Sequence, residues 1–248
     1  MNEEIAEIGV PFYPVTEWAD RFPWLFAGIT HAGPGADPFD LRLFDEPASA
    51  ETAERWKRLL EASAFETIVY ARQVHETRIV VHEAGGEGVQ EVRGAADGHA
   101  TTHSGVLLAV TVADCVPVYL LDAETRGVAL LHAGWRGTAA GILKDGIALL
   151  GQRWGCDPAR LRVHLGPAIC GGCYEVGPEV FGALGLEVPA YATPVDVRGV
   201  LAQQAGEAGV PTGNLTVSDQ CTLCGDQNFF SHRAGRSERQ VAVLGVRS

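Results

Sequence analysis

Between Val106 and His132 the chain runs through three apolar segments, VLLAVTV, VPVYLLD and VALLH, with very little sequence to join them. No other stretch restricts the fold as much. Runs this short, and this rich in β-branched residues, read as strands. The last two are linked by the tight turn AETRG, which leaves no room for the crossover of a parallel pair and predicts an antiparallel hairpin. Hairpin strands with helices set apart from them argue for an α+β fold and against a doubly wound parallel sheet. No Gly-x-Gly-x-x-Gly follows a strand and no P-loop is present, so nucleotide-cofactor binding by those routes is not expected.

The other segments fit around this hairpin. Trp24–Thr30 reads as a short strand, FETIVYARQVH and RIVVHEA as strand segments, LRVHLG as another and RQVAVLGV as the last. Ser49 opens a helix whose apolar stripe is Ala53, Trp56, Leu59 and Leu60. One continuous helix is expected from about Gly137 to Trp154, because Ile142, Ile147, Leu150 and Trp154 recur at near-helical spacing. Pro178 opens a short helix through PEVFGAL. No repeat, low-complexity tract or linker interrupts the chain, so residues 1–248 are read as one domain.

Charge narrows the partners. The net charge is −12 and only Lys57 and Lys144 are lysines, so there is no basic stripe for nucleic acid or an anionic membrane. An anionic substrate has to be held by local arginines. The start, MNEEIAEIGV, lacks the basic and apolar regions of a signal peptide, and the apolar stretch near Val106–Ala113 is far too short to span a membrane. A cytoplasmic, reducing compartment is the default expectation, in which the six cysteines serve as thiols or ligands rather than disulfides.

Three positions stand out for chemistry: His75 in RQVHE, Cys115 in TVADCVPV and His132 in LLHAGW. Taken singly, a histidine near a strand end is usually a hydrogen-bonded, partly buried residue, and a lone cysteine is a small hydrophobe. Their placement distinguishes them. Each sits at or just past the end of an apolar segment, and pairing Val118–Asp122 with Val128–His132 brings Cys115 beside His132, whereas His75 must arrive from a separate strand. A strand built only for packing has no need to end on His-Ala-Gly-Trp-Arg-Gly.

These segments carry a resemblance. QVH, ADG-x-x-T, TVADCVPV, HAGWRG, LGPAI…CYEV, CT and FFSHR…GR resemble, in order, the YfiH-type laccase-domain family, described both as multicopper polyphenol oxidases and as purine nucleoside phosphorylases. The likeness spans about residues 67–246, and ADC followed by HAGWRG at this distance is highly specific. It implies one α+β domain, an αββα sandwich with mixed or antiparallel sheets. It also implies a metal held by His75, Cys115 and His132. After the Gly-rich loop the chain departs from the family, with DLRLF where an asparagine is usual.

Three protein ligands leave a fourth tetrahedral position open, the pattern of a catalytic zinc, which lowers the pKa of a bound water to roughly 7. Copper is the alternative metal at the same site. A His₂Cys blue-copper centre wants an axial methionine, and the only one is Met1; a multicopper cluster wants His-x-His pairs, and none of the eight histidines forms one. The activity that the resemblance implies is phosphorolysis of purine nucleosides such as adenosine and inosine, with adenosine deamination beside it. Cys115, Asp114 and Arg136 are read as catalytic, and Asp97, Tyr174, Glu175 and Arg233 as substrate-binding. Asp97 and Asp114 suit equally well turn residues or groups that orient the ligands. Gly134 and Gly137 let the chain turn into a helix whose first N–H groups, with Arg136, suit a phosphate. The rivals are a Cys115–His132 nucleophile, as in an amidase editing cell-wall precursors, a copper polyphenol oxidase, and a metal-binding protein without turnover. The oligomeric state is not set by the sequence.

Two further pairs, Cys170/Cys173 and Cys221/Cys224, are Cys-x-x-Cys motifs, and the 47 residues between them (174–220) exceed the usual zinc-ribbon spacing. A base-deaminase motif is excluded, since it needs Pro-Cys-x-x-Cys and His-x-Glu, whereas Pro167-Ala-Ile-Cys170 and His75-Glu76 stand here. Free thiols near the pocket are the favoured reading of the four cysteines, and a structural zinc the second.

Overall fold

The computed structural model describes residues 8–34, 37–43, 49–225 and 228–247; most of the acidic N-terminal stretch read above, residues 1–7, lies outside them. Two six-stranded sheets make up the α+β fold. In order, the first holds Phe12–Pro14, Leu25–Thr30, Gln240–Val246, Val106–Val112, Thr67–Arg72 and Gly88–Ala95. The second holds Leu215–Val217, Arg162–Leu165, Val116–Asp122, Gly127–Ala133, Gly98–Thr101 and Ile79–His82. Both are mixed: Thr67–Arg72 runs parallel to its two neighbours, and Arg162–Leu165 parallel to Leu215–Val217. The expected hairpin is present, with Val118 opposite Leu131 and Pro117 opposite His132.

The apolar runs are continuous because both faces of these strands are covered. Along Val116–Asp122 the side chains alternate by strand geometry. Val116, Val118 and Leu120 pack with Ile142, Leu143, Ile147, Leu150 and Leu201 of the helices on one side. Tyr119 and Leu121 turn the other way, onto Leu108, Val110 and Leu244 of the first sheet. The outer face of the first sheet, with Ile68, Leu107 and Val243, is covered by Trp56 and Leu59. The layers are therefore helix, sheet, sheet, helix.

The helix Ala50–Ser63 starts as its sequence predicts, with Ser49 Oγ accepting from the Thr52 N–H. The expected helix from Gly137 to Trp154 is instead two, Trp135–Ala140 and Ile142–Trp154. Gly141, at φ 90°, lies in the left-handed region between them and ends the first helix by donating to the carbonyls of Gly137 and Thr138. The stripe residues Ile142, Ile147, Leu150 and Trp154 all lie in the second helix, so their periodicity carries no information about the break before it. Gly88–Ala95 is an edge strand without an apolar face, mostly exposed, and its sequence carries no strand signal.

Candidate metal centre

Strand ends and their turns assemble the site. Cys115 lies in the tight link between Val106–Val112 and Val116–Asp122, and His132 is paired across the hairpin from Pro117. His75 follows the strand Thr67–Arg72 of the other sheet. The donor atoms of His75, Cys115 and His132 all lie within 4.8 Å of one another, so the trio singled out in the sequence converges. Cys115 Sγ is 3.9 Å from His75 Nε2, and the two imidazole rings meet edge to face at 4.8 Å. His132 is buried, Cys115 half-buried and His75 exposed.

Asp97 organises this cluster from below. It is fully buried, and its two oxygens accept the backbone N–H groups of Val74, His75 and Glu76 at 2.9–3.0 Å, together with a bond to His132 Nδ1 at 2.8 Å. The expectation that Asp97 binds substrate is corrected here, because a side chain with no exposed surface does not reach a ligand in the cleft. It is a positioning residue. The three amides hold His75 at φ 63°, a left-handed conformation that costs a non-glycine residue about 1–2 kcal/mol. Burial raises the Asp97 pKa, but the bonds from His132, Glu76 and Val74 outweigh it and keep the group ionised below the usual carboxylate range.

Cys115 and His132 titrate as a pair. Burial opposes the thiolate, yet the facing His132 charge and the hydrogen bonds from both histidines bring Cys115 down to about 6. His132 goes the other way, to about 9, its burial overcome by Cys115 and Asp97.

The donors suit the metal that the sequence resemblance implies. A Cβ built on Gly134 would lie 2.9 Å from His75 Cδ2 and 3.0 Å from Cys115 Sγ, so only glycine leaves the space between the donors open. The bond from Asp97 to His132 Nδ1 leaves Nε2 as the ligating nitrogen. Two imidazoles and one low-pKa thiol match zinc or copper, and no described residue supplies the methionine of a blue-copper centre.

Two of the three donors, His75 and Cys115, line a cleft of about 500 Å³ whose wall also includes Asp114, Trp135, Arg136, Tyr174, His232 and Arg233, while His132 is buried beside them. Arg136 stacks over Trp135 at 4.3 Å, and Arg233 over Tyr174 at 5.2 Å. Asp114, at φ 86°, accepts from Thr222 Oγ1 at 2.6 Å and from the Arg233 backbone N–H at 2.7 Å, which ties the Arg233 loop to the Cys115 turn. Glu175 does not join the wall; it is exposed and offers its carbonyl to the Arg233 guanidinium at 2.9 Å. Gly137, near which the sequence places an anion site, does not line the cleft. Gly137 is buried, with the Glu76 carbonyl 3.2 Å from where its Cβ would be, and Gly134–Arg136 face the cleft instead. The departing DLRLF segment is structural where described: Asp40 caps the amides of Arg42 and Arg239, and Leu41 is fully buried. His232 was not singled out in the sequence; it sits beside Arg233 in the FFSHR motif, which is the signal that marks it.

Fold and site define a class: a four-layer sandwich with a His₂Cys cluster at the mouth of its central hairpin. Residues 37–247 match the sequence profile described as multi-copper polyphenol oxidoreductase laccase, and the chain belongs to that family. Its relatives include the purine nucleoside phosphorylase YlmD of Geobacillus stearothermophilus, 34% identical over 92% of this chain and 93% of that protein. Another is adenosine deaminase RL5 from an unknown prokaryote, 33% identical over 67% of this chain and 69% of that protein. The crystal structure of YlmD from Geobacillus stearothermophilus superposes with a TM-score of 0.86 at 29% identity, covering 100% of both chains. Its relatives are thus named as enzymes acting on nucleosides. No helix among the described residues is long and apolar enough to cross a membrane.

Proposed function

We propose that this chain is a purine nucleoside phosphorylase that uses zinc at His75, Cys115 and His132 and also deaminates adenosine. The observation that carries this reading is the meeting, in one cleft, of two guanidinium groups, Arg136 and Arg233, with His75 and Cys115, whose donor atoms lie within 4.8 Å of that of His132. When bound, zinc supplies Lewis acidity at the cleft floor. Arg136 and Arg233 bind phosphate, a task for local cations in a chain of net charge −12. The held phosphate attacks C1′ of the nucleoside, the glycosidic bond breaks, and the products are ribose 1-phosphate and the free base. Trp135 and Tyr174 offer aromatic surface to the purine, and Asp114 fixes the loop that presents Arg233. The name of the RL5 relative supports the second activity.

Following inosine cleavage and adenosine deamination, with and without phosphate, tests this reading. Base release should require phosphate. Arg136→Ala removes a charge-assisted contact of roughly 1.5–3 kcal/mol, and phosphorolysis at limiting phosphate should fall at least about tenfold. Arg136→Lys should recover only part of it, because an ammonium lacks the planar fork. Deamination should fall less. Inosine cleavage that ignores phosphate, or an equal loss of both activities, sinks the anion-site assignment. The Cys115–His132 pair, with its thiol lowered and imidazole raised, favours a second reading as a cysteine nucleophile. Inactivation by thiol alkylation together with resistance to chelators would select it.

A further inference from the structure

The two Cys-x-x-Cys motifs stand 47 residues apart in sequence (174–220) and together in space. The strand Leu215–Val217 runs parallel to Arg162–Leu165, and the pairing is extended by a bridge between Ala168 and Cys221. Each motif leaves the same end of its strand, so the register delivers both to one place. The sulfurs of Cys170, Cys173, Cys221 and Cys224 all lie within 4.8 Å of one another. We propose that these four cysteines form a second metal site, a closed tetrahedral four-thiolate centre for a structural zinc ion, distinct from the His₂Cys cluster.

Geometry carries the assignment. A zinc–sulfur bond of about 2.3 Å sets the edge of a ZnS₄ tetrahedron near 3.8 Å. Cys170 Sγ and Cys224 Sγ are 3.8 Å apart, far from the roughly 2.0 Å of a disulfide. All six cysteines of the chain are free. The backbone is wrapped for ligation at both motifs. The residue after each second cysteine donates to the carbonyl of the first: Tyr174 to Cys170 at 3.1 Å and Gly225 to Cys221 at 3.1 Å. Gly225 is required there, since its Cβ would lie 2.4 Å from the Cys221 carbonyl oxygen. Cys221 Sγ accepts backbone N–H groups from Cys170, Leu223 and Cys224 at 3.2–3.5 Å, the outer hydrogen bonding that stabilises a ligating thiolate. Binding zinc forms four sulfur–metal bonds and releases the thiol protons to solvent, with no change of oxidation state.

The site would act as a staple under the cleft. Ile169 and Tyr174, flanking the first motif, line the cleft, and Thr222, beside Cys221, bonds Asp114. Fastening the two motifs together therefore fixes one wall of the nucleoside site without touching its reacting groups.

Metal analysis of the purified protein and of two variants tests this. Wild type should hold two zinc ions per chain, and Cys115→Ala should keep one. Cobalt loaded into Cys115→Ala should give the intense thiolate-to-metal charge-transfer absorption of a four-sulfur tetrahedral centre. Cys170→Ser/Cys224→Ser should lose one zinc, melt at lower temperature and keep the His₂Cys metal. One zinc per chain in wild type that disappears in Cys115→Ala, even after zinc is supplied under reducing conditions, would overturn the proposal. So would iron in place of zinc, or a Cys170–Cys224 disulfide in freshly purified protein. A failed phosphorolysis assay leaves these readouts unchanged, so this inference and the functional reading fail separately.

Discussion

At the scale of single residues, Gly134 keeps open the space between two of the metal donors. A methyl group there would press on His75 Cδ2 and Cys115 Sγ, both ends of side chains that can swing toward the open cleft. Gly134→Ala should therefore leave the fold standing and spoil the donor geometry, with metal affinity falling by about 10–100-fold, the range seen when groups supporting a ligand are disturbed. Competition against a chromophoric chelator measures this, and circular dichroism checks the fold; unchanged affinity would show that the metal does not use the space between His75 and Cys115. Two members of the trio were legible from the sequence because hairpin register places Cys115 near His132, whereas His75, from another strand, joined them only through the family resemblance. Asp97 was legible only as a candidate. A carboxylate in a turn looks the same whether it faces solvent or lies buried beneath four donors, and burial is a property of the assembled sheets.

Among the elements, the break at Gly141 gives a prediction without packing terms. Nothing lies within 4 Å of where its Cβ would be, so Gly141→Ala changes only backbone strain at φ 90°. It should cost about 1–2 kcal/mol in urea unfolding, with no effect on metal content; a neutral result would mean that the two helices merge into one when the glycine is removed. Local signals found the Val116–Ala133 hairpin and the capped helix from Ser49, because turn length and capping act between near neighbours. The parallel neighbours of Thr67–Arg72 were not legible. Their pairing joins segments about 20 and 40 residues away in the chain, and such long-range register leaves no local mark. The same holds for the parallel strands that bring the four cysteines together.

Taken whole, the sandwich should be acid-sensitive for a reason spread across both sheets. Burial holds His31 and His164 at about 4 and His99 at about 3, all well below the usual 6.5. The unfolded chain takes up these protons first. Stability is therefore full above about pH 6.5 and declines as pH falls toward 4, and on toward 3 for His99. Each histidine should cost roughly 1.4 kcal/mol at about pH 5.5 relative to neutral pH, and urea midpoints across that interval read the sum; a flat profile would refute it. The placement of one strand has a different consequence. Gln240–Val246 lies between Leu25–Thr30 and Val106–Val112, antiparallel to both. A ribosome delivers those two neighbours long before the strand that joins them. The nascent chain thus carries two unpaired sheet edges through more than a hundred residues of synthesis, and the first sheet closes only when residues 240–246 clear the exit tunnel and fill the slot.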